Sequence, residues 1–383
     1  MALHFDDAEF QSRRERLIAA MADNKLDAMF LFAPESMYWL TGYDTFGFCF
    51  FQCMIFTAKG ELVLLTRSAD LRQARHTSNV ATVVVWQDRD GADPTRDLKD
   101  IADELDLLGR NIGIEYDTQG LTAFNGRRLD VRFEHFGEMS DASAIIPRLR
   151  SVKSAAELDC VRKAGELADE ALLAAKPLIK AGADEGDILA AMQGAVFAGG
   201  GDYAGNEFII GSAEDALLCR YKSGRRALSA NDQLTLEWAG TWRRYHAALM
   251  RTVIIGKPTP RHLELHQAAQ EALKAVEDAM IVGNNFGDVF AAHAHVMEAA
   301  NLSRHRLNAC GYSLGAHFNP CWMDRPMFYA DNPEPIVENM SLFAHMIIMD
   351  SDSNTAMTLG QTYITTADGP KTVSQLDLDL IVS

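Results

Sequence analysis

A few side chains in this sequence have the type and setting for chemistry, and each also has a quieter reading. Glu237 closes an apolar strand that runs through Leu234 and Leu236, where a carboxylate is costly to bury without a partner. It reads either as half of a salt bridge to Arg251 or Arg220, or as a general base, nucleophile or cation anchor. His345 lies inside the apolar run LFAHMIIMD, a setting in which a lone histidine is usually a satisfied core residue. Tyr312 is flanked by Gly311 and Ser313, so its segment can approach a ligand closely, and both an acid role and simple packing stay open. Arg220 and Arg251 carry forked donors suited to a substrate carboxylate. His246, beside Arg243, Arg244 and Tyr245, reads as a surface residue at a hairpin tip. Tyr43, Phe46 and Phe48 read first as core, although aromatic walls would also suit a cationic or zwitterionic solute.

The elements that must position these groups fall into two sets. In the first, apolar positions at helical spacing (Phe10, Leu17, Ile18, Met21) predict a helix over 7–24, followed by a strand over 27–32. The runs 48–56 and 61–65, separated by Ala58-Lys59-Gly60, predict a strand–turn–strand unit. Further strands at 80–86 and 111–116, with helices at 97–107 and 121–129, make residues 1–150 an α/β domain. Pro147, Arg148, Arg150 and Lys153 mark a polar boundary. The second set, 151–383, opens on a helix over 155–175 with Ser154 and Glu157 placed as a capping box. Helices at 185–197, 261–280 and 286–300 and strands at 207–210, 233–238, 248–255, 341–349 and 357–365 make it α+β.

Composition narrows the function classes. Of 383 residues 53 are acidic and 36 basic, a net charge of −17, and no basic patch offers itself to a phosphate backbone, so nucleic acid is not the expected partner. Hydrophobic residues at 48% and charged residues at 23% fit a globular chain with large cores. No apolar run is long enough to span a membrane. Residues 1–12 lack the basic start and apolar centre of an export signal. The six cysteines (49, 53, 160, 219, 310 and 321) form no CxxC pair and read as reduced thiols of a cytoplasmic protein, neither a disulfide framework nor a thiolate zinc site.

Several segments in order along nearly the whole chain then carry a resemblance. MYWLTGYD (37–44), IIPRLRSVKSAAELDCVRKA (145–164), the hairpin NDQLTLEWAGTWRRYHAALMRTVIIG (231–256), ACGYSLGAH (309–317) and TYITTADGPKTVS (362–374) resemble the corresponding signatures of the creatinase–aminopeptidase P–prolidase superfamily. The resemblance implies an N-terminal α/β domain over 1–150. It also implies a "pita-bread" catalytic domain over 151–383, built on a curved antiparallel sheet.

Metal-dependent members of that superfamily hold two ions that activate water and clamp the tetrahedral oxygen. Their ligands are two aspartates of the hairpin, a histidine of the glycine-rich segment and two glutamates of the last strands. By the resemblance these positions are Glu237, Ala248, Tyr312, His345 and Gly360, or Gln361 if the register slips by one. At most Glu237 and His345 could coordinate, which is too few donors for a dinuclear centre. No metal and no cofactor are expected. Glu237, Tyr312 and His345 should still converge, and a carboxylate, a phenol and an imidazole in one desolvated pocket form an acid–base set. Creatinase and ectoine hydrolase, which cleave C–N bonds in small solutes, resemble this chain in working without the metal pair. The ending Ala248, Leu249, Arg251, Thr252 and the run Gly311–Ser313 lean towards that branch.

Two departures matter within the branch. Arg220 stands near the position of creatinase's catalytic histidine, and Met250 replaces its glutamate, so creatine is not an expected substrate. The resemblance further gives His317 the role of orienting or protonating the reacting group, favours Arg220 over Arg251 as the carboxylate anchor, and places the loop with Tyr43, Phe46 and Phe48 over a neighbouring subunit's pocket in a homodimer. The expectation is a metal-independent hydrolase cleaving a C–N bond in a small nitrogenous solute, with no nucleic-acid or membrane partner. Its rivals are a metal-dependent Xaa-Pro dipeptidase or aminopeptidase, a lyase acting on a small zwitterion, and a non-catalytic ligand-binding homologue.

Overall fold

The computed structural model describes residues 3–220 and 225–383, so part of the segment 219–226 lies outside the described residues. The chain divides into two compact units, Met1–Arg150 and Ser151–Ser383.

The first unit runs α1 (Asp7–Asp23), β1 (Ala28–Leu31), α2 (Pro34–Thr41), β2 (Cys53–Thr57), β3 (Leu62–Arg67), α3 (Leu71–Thr77), β4 (Thr82–Trp86), α4 (Pro94–Glu104), β5 (Asn111–Ile114), α5 (Ala123–Arg132), β6 (Glu138–Asp141) and α6 (Ile145–Ser151). Its sheet has the order β4-β3-β2-β1-β5-β6, with β2 antiparallel to both its neighbours and the other pairs parallel. The apolar strands are buried on both faces, as the continuous hydrophobic runs require. One local reading changes, and one helix appears where no element was expected. Residues Met37–Thr41 belong to a helix, and Glu115 holds the chain entering it, accepting from the backbone of Phe32 and Ala33 at 2.9 Å and from Ser36 Oγ. The run 48–56 is a strand only from Cys53. Before it, Thr45 Oγ1 donates to Asp70 and accepts from Gly47 N, and these side-chain bonds capture the backbone in a turn.

The second unit opens on α7 (Ala155–Ala175) and α8 (Glu185–Ala198), then β7 (Ile209–Ser212), β8 (Asp232–Trp242), β9 (Tyr245–Ile255), α9 (Pro260–Ala279), α10 (Phe286–Ala299), β10 (Ala309–Ser313), β11 (Asp324–Tyr329), β12 (Ser341–Asp350), β13 (Thr355–Thr366), β14 (Gly369–Thr372) and β15 (Ile381–Val382). The sheet order is β11-β10-β12-β13-β9-β8-β7, every neighbour antiparallel, with β14 added to β13 and β15 to β9. One face of β12 and β13 (Leu342, Ala344, Met346, Met357, Leu359, Tyr363) packs on the apolar stripe of α9 (Leu265, Ala269, Leu273, Val276). On the other half of the sheet, Trp238 of β8 donates its indole N–H to Ala168 O of α7 at 2.8 Å.

The expected capping box is present: Ser154 Oγ accepts from Glu157 N and the Glu157 carboxylate accepts from Ser154 N. Glu157 also receives the hydroxyl of Tyr245 at 2.7 Å, which ties the start of α7 to β9. Ser154→Ala is expected to cost about 1 kcal/mol, read as a lower denaturant midpoint with unchanged slope.

Candidate active site

Strand register puts the candidate groups in one row. Glu237 of β8 faces Met250 of β9, Met250 faces Gly360 of β13, and Gly360 faces His345 of β12. Directly paired residues share a sheet face, so Glu237 and His345 look the same way. Tyr312 lies in β10 opposite Phe343 and shares that face. In a flat sheet its backbone would stand about 19 Å from that of Glu237, four strand spacings away. Yet Tyr312 Oη reaches Glu237 Oε1 at 3.4 Å, so the sheet curls over this face. The glycine before Tyr312 serves the sheet and not a ligand: a Cβ on Gly311 would meet Phe343 O at 2.2 Å.

The side chains on this face are nearly sealed from water. Glu237 is 9% exposed, His345 7% and Tyr312 3%. The rings of Tyr312, Phe343 and His345 contact one another with centroids 5.4–5.6 Å apart. Burial raises the Glu237 carboxyl to about 7, against the opposing pull of the Tyr312 hydroxyl and the Arg220 charge. Burial also lowers His345 to about 4, so its imidazole is neutral at pH 7, and its Nδ1 is buried with no hydrogen-bond partner among the described residues. The phenol of Tyr312 is pushed well above its usual value by burial and by Glu237. One group of the set, Glu237, therefore titrates near neutral pH.

The structure treats the other expected residues unequally. Arg220 is exposed and its charge acts on Glu237. Arg251 points the other way. It is the neighbour of Met250 along β9, so it takes the opposite face, and its guanidinium donates to the carbonyls of Gly360 (2.7 Å), Met250 (2.9 Å) and Asp377 (3.2 Å). Neither a salt bridge to Glu237 nor a substrate contact on the Glu237 face suits it; it staples β9 to β13 and to the chain's last segment. His317 stands with Nε2 3.2 Å from Asp324 Oδ2.

His246, expected at the surface, is fully buried: the tip of the hairpin is Arg243–Arg244, and His246 pairs with Thr241 inside the ladder. Its Nε2 accepts from Gly205 N at 2.8 Å, and its Nδ1 lies 3.2 Å from Gly315 O. In the first unit Tyr43 and Phe48 are core residues, Tyr43 with its hydroxyl on Gln52 and Thr66, so they form no aromatic wall on this chain's surface. Phe46, 78% exposed, is the one of the three that stands at the surface.

Sequence reasoning missed Trp322, whose indole N–H donates to Tyr312 Oη at 2.9 Å. It also missed Phe343. The only advance signal for Phe343 was its position two residues before His345, on the same strand face. Cys219 lies within electrostatic reach of Glu237, and burial raises its thiol.

Sequence profiles now place the chain. The creatinase/prolidase N-terminal domain matches residues 13–152, and metallopeptidase family M24 matches residues 159–367. The chain belongs to family M24. Among its relatives, an uncharacterised hydrolase/peptidase of Sinorhizobium fredii is 25% identical, covering 99% of each chain. The ectoine hydrolase of Halomonas elongata is 24% identical over 90% of each chain. The crystal structure of a prolidase from Thermococcus sibiricus superposes with a TM-score of 0.88 at 16% identity, covering 98% of this chain and 99% of that one. The pita-bread fold of family M24 is thus the fold of this chain.

The family's name implies metal, and the residues at the site do not fit it. Ala248 has no donor, Gly360 has no side chain, and Tyr312 is a neutral phenol engaged with Glu237 and Trp322. Gln361 is no substitute, because it lies on the opposite face and donates to Tyr363 at 2.9 Å. Among the described residues, the group whose donors converge is His305, Asp350 and Asp352, at the far end of β12. There Asp350 is taken up by Arg261 at 2.6 and 2.8 Å, and Asp352 pairs with Arg304, so two guanidinium groups already supply the counter-charge. Among the described residues, no helix is long and apolar enough to cross a membrane.

Proposed function

We propose that this M24 member is a hydrolase that cleaves a C–N bond in a small amidine, guanidino or cyclic amino-acid-like solute without a metal pair. One observation carries the reading: a buried carboxylate titrating near 7, bonded to a phenol, on the family's catalytic face. A cationic amidine beside Glu237 supplies the counter-charge that the burial otherwise denies and so favours the ionised form. Glu237 then takes a proton from water as the hydroxide adds to the amidine carbon. The tetrahedral adduct collapses as the proton returns to the departing nitrogen, and water has been added across the C–N bond. Tyr312 and the neutral His345 steady the adduct, and His317 orients the reacting group. Arg220 holds a substrate carboxylate, in a pocket completed by a second subunit of a cytoplasmic homodimer.

Similarity to an ectoine hydrolase supports the chemistry, and the ligand set supports independence from metal. The test is a thermal-shift screen of cyclic amidines, guanidino acids, betaines and proline dipeptides, followed by turnover assays of the binders. Release of an amine that is unchanged by chelator is the expected result. Cleavage of Xaa-Pro dipeptides that depends on manganese or cobalt overturns it. An alkene product would mark a lyase, and binding without turnover a ligand-binding homologue; either result overturns the hydrolase reading.

A further inference from the structure

We propose that Trp322 is a positioning residue: its indole N–H, pinned by three segments, fixes the proton of Tyr312 in the direction of Glu237. The argument is one of donors and acceptors. An indole N–H only donates, and a phenol carries one proton. With Trp322 Nε1 donating to Tyr312 Oη at 2.9 Å, the phenol oxygen is the acceptor in that contact and its own proton must go elsewhere. The acceptor it meets is Glu237 Oε1 at 3.4 Å. The chain of bonds therefore runs one way, from Trp322 through Tyr312 to Glu237, and each bond polarises the next.

The indole is held in place by its surroundings. Trp322 N donates to Asn206 Oδ1 at 3.2 Å, and its ring stands 6.2 Å from that of His246. His246 is itself fixed between Gly205 N and Gly315 O, and burial keeps it neutral, lowered to about 3. An Nε2 that must accept from Gly205 has no place for a second proton, so this bridge does not switch in the physiological range. Gly205 lies close enough that a Cβ on it would meet Cys321 O at 2.9 Å and Trp322 N at 3.0 Å. The loop before β7, the start of β9 and the β10–β11 connection thus converge on one indole, and the polarity they impose reaches Glu237.

The functional consequence rests on the acid–base reading of Glu237; the relay itself is read without substrate. The Glu237 carboxyl band is identified in infrared difference spectra by its loss in Glu237→Gln and followed against pH in the substrate-free protein. Tyr312→Phe removes a hydrogen bond to a charged group and should raise the midpoint by about one unit. Trp322→Phe should raise it in the same direction and add nothing in the Tyr312→Phe background. If Trp322→Phe leaves the midpoint unmoved, or shifts it equally with Tyr312 absent, the relay is wrong even if the hydrolase reading stands. Should Trp322→Phe fold poorly, benzothienylalanine at position 322 keeps the bicyclic shape and removes only the N–H, with the same shift expected. Failure of every solute in the binding screen would overturn the proposed function and leave this result intact.

Discussion

Glu237→Gln is expected to abolish turnover and, above pH 7, to make the folded chain more stable than the wild type. The first half follows from the role proposed for the carboxylate: an amide cannot take the proton of the attacking water, and loss of a general base costs at least about 100-fold. Wild-type activity should rise with pH through about 7, where Glu237 ionises, and level off above it. The second half follows from linkage. The native state holds the Glu237 proton more tightly than the unfolded chain, whose value is near 4.5. The protonated group therefore favours folding below that value, and the advantage is lost as pH climbs from there through about 7. A glutamine resembles the protonated acid at every pH and still offers an oxygen to Tyr312. At pH 8 to 9 the variant should gain about 1–3 kcal/mol relative to wild type, while at pH 4 the two should be close. Denaturation series at several pH values, beside a pH–rate profile, check both halves. Wild-type rates in the variant would sink the site assignment, and equal stabilities at pH 9 would sink the buried-acid account.

The parts legible in the sequence were those set by local pattern. Helix α7 with its cap, the long strands of the second unit and the order of elements follow from apolar periodicity and from Ser154 and Glu157. What failed was register. Whether Arg251 could meet Glu237 depends on where the hairpin turns. With the tip at Arg243–Arg244, Arg251 pairs with Leu236 and faces away. Four polar or aromatic residues in a row, Arg243 to His246, give no local reason to place the turn before His246 and not at it. Once it is placed, the burial of His246 and the distance of Arg251 follow together. Trp322 was illegible for another reason. Its position is set by Asn206 and Tyr312, 116 and 10 residues away, in a connection with no periodicity of its own. The resemblance supplied the face on which Glu237, Tyr312 and His345 stand. It could not supply the acid–base division among them, which comes from burial.

Restoring acidic side chains at the two vacated ligand positions is expected to lower the melting temperature and to yield no metal centre. Gly360 is hemmed in by what now fills the row: a Cβ there would lie 3.0 Å from Phe343 Cε2, 3.0 Å from Ala344 O and 3.1 Å from His345 Cβ. The backbone oxygen and the core-packed ring cannot both give way cheaply, so Gly360→Glu should cost about 1–3 kcal/mol from crowding alone, with a buried carboxylate added to it. Ala248→Asp would set a second carboxylate on the face of Glu237, raising both acids further instead of preparing them for a cation. Even together the substitutions leave Tyr312 where an imidazole would be needed and a neutral, ring-packed His345 where a carboxylate would be. Titration calorimetry with manganese and elemental analysis of the purified double variant should find no stoichiometric ion. The cost of Gly360→Glu should be smaller in a Phe343→Ala background than in the wild type, because the ring is a principal obstacle. Tight manganese binding by Gly360→Glu alone would show that Phe343 moves aside readily and that the site is a dormant metal centre. The 3.0 Å contact predicts the opposite: the Phe343 ring fills the space that a carboxylate at 360 would need.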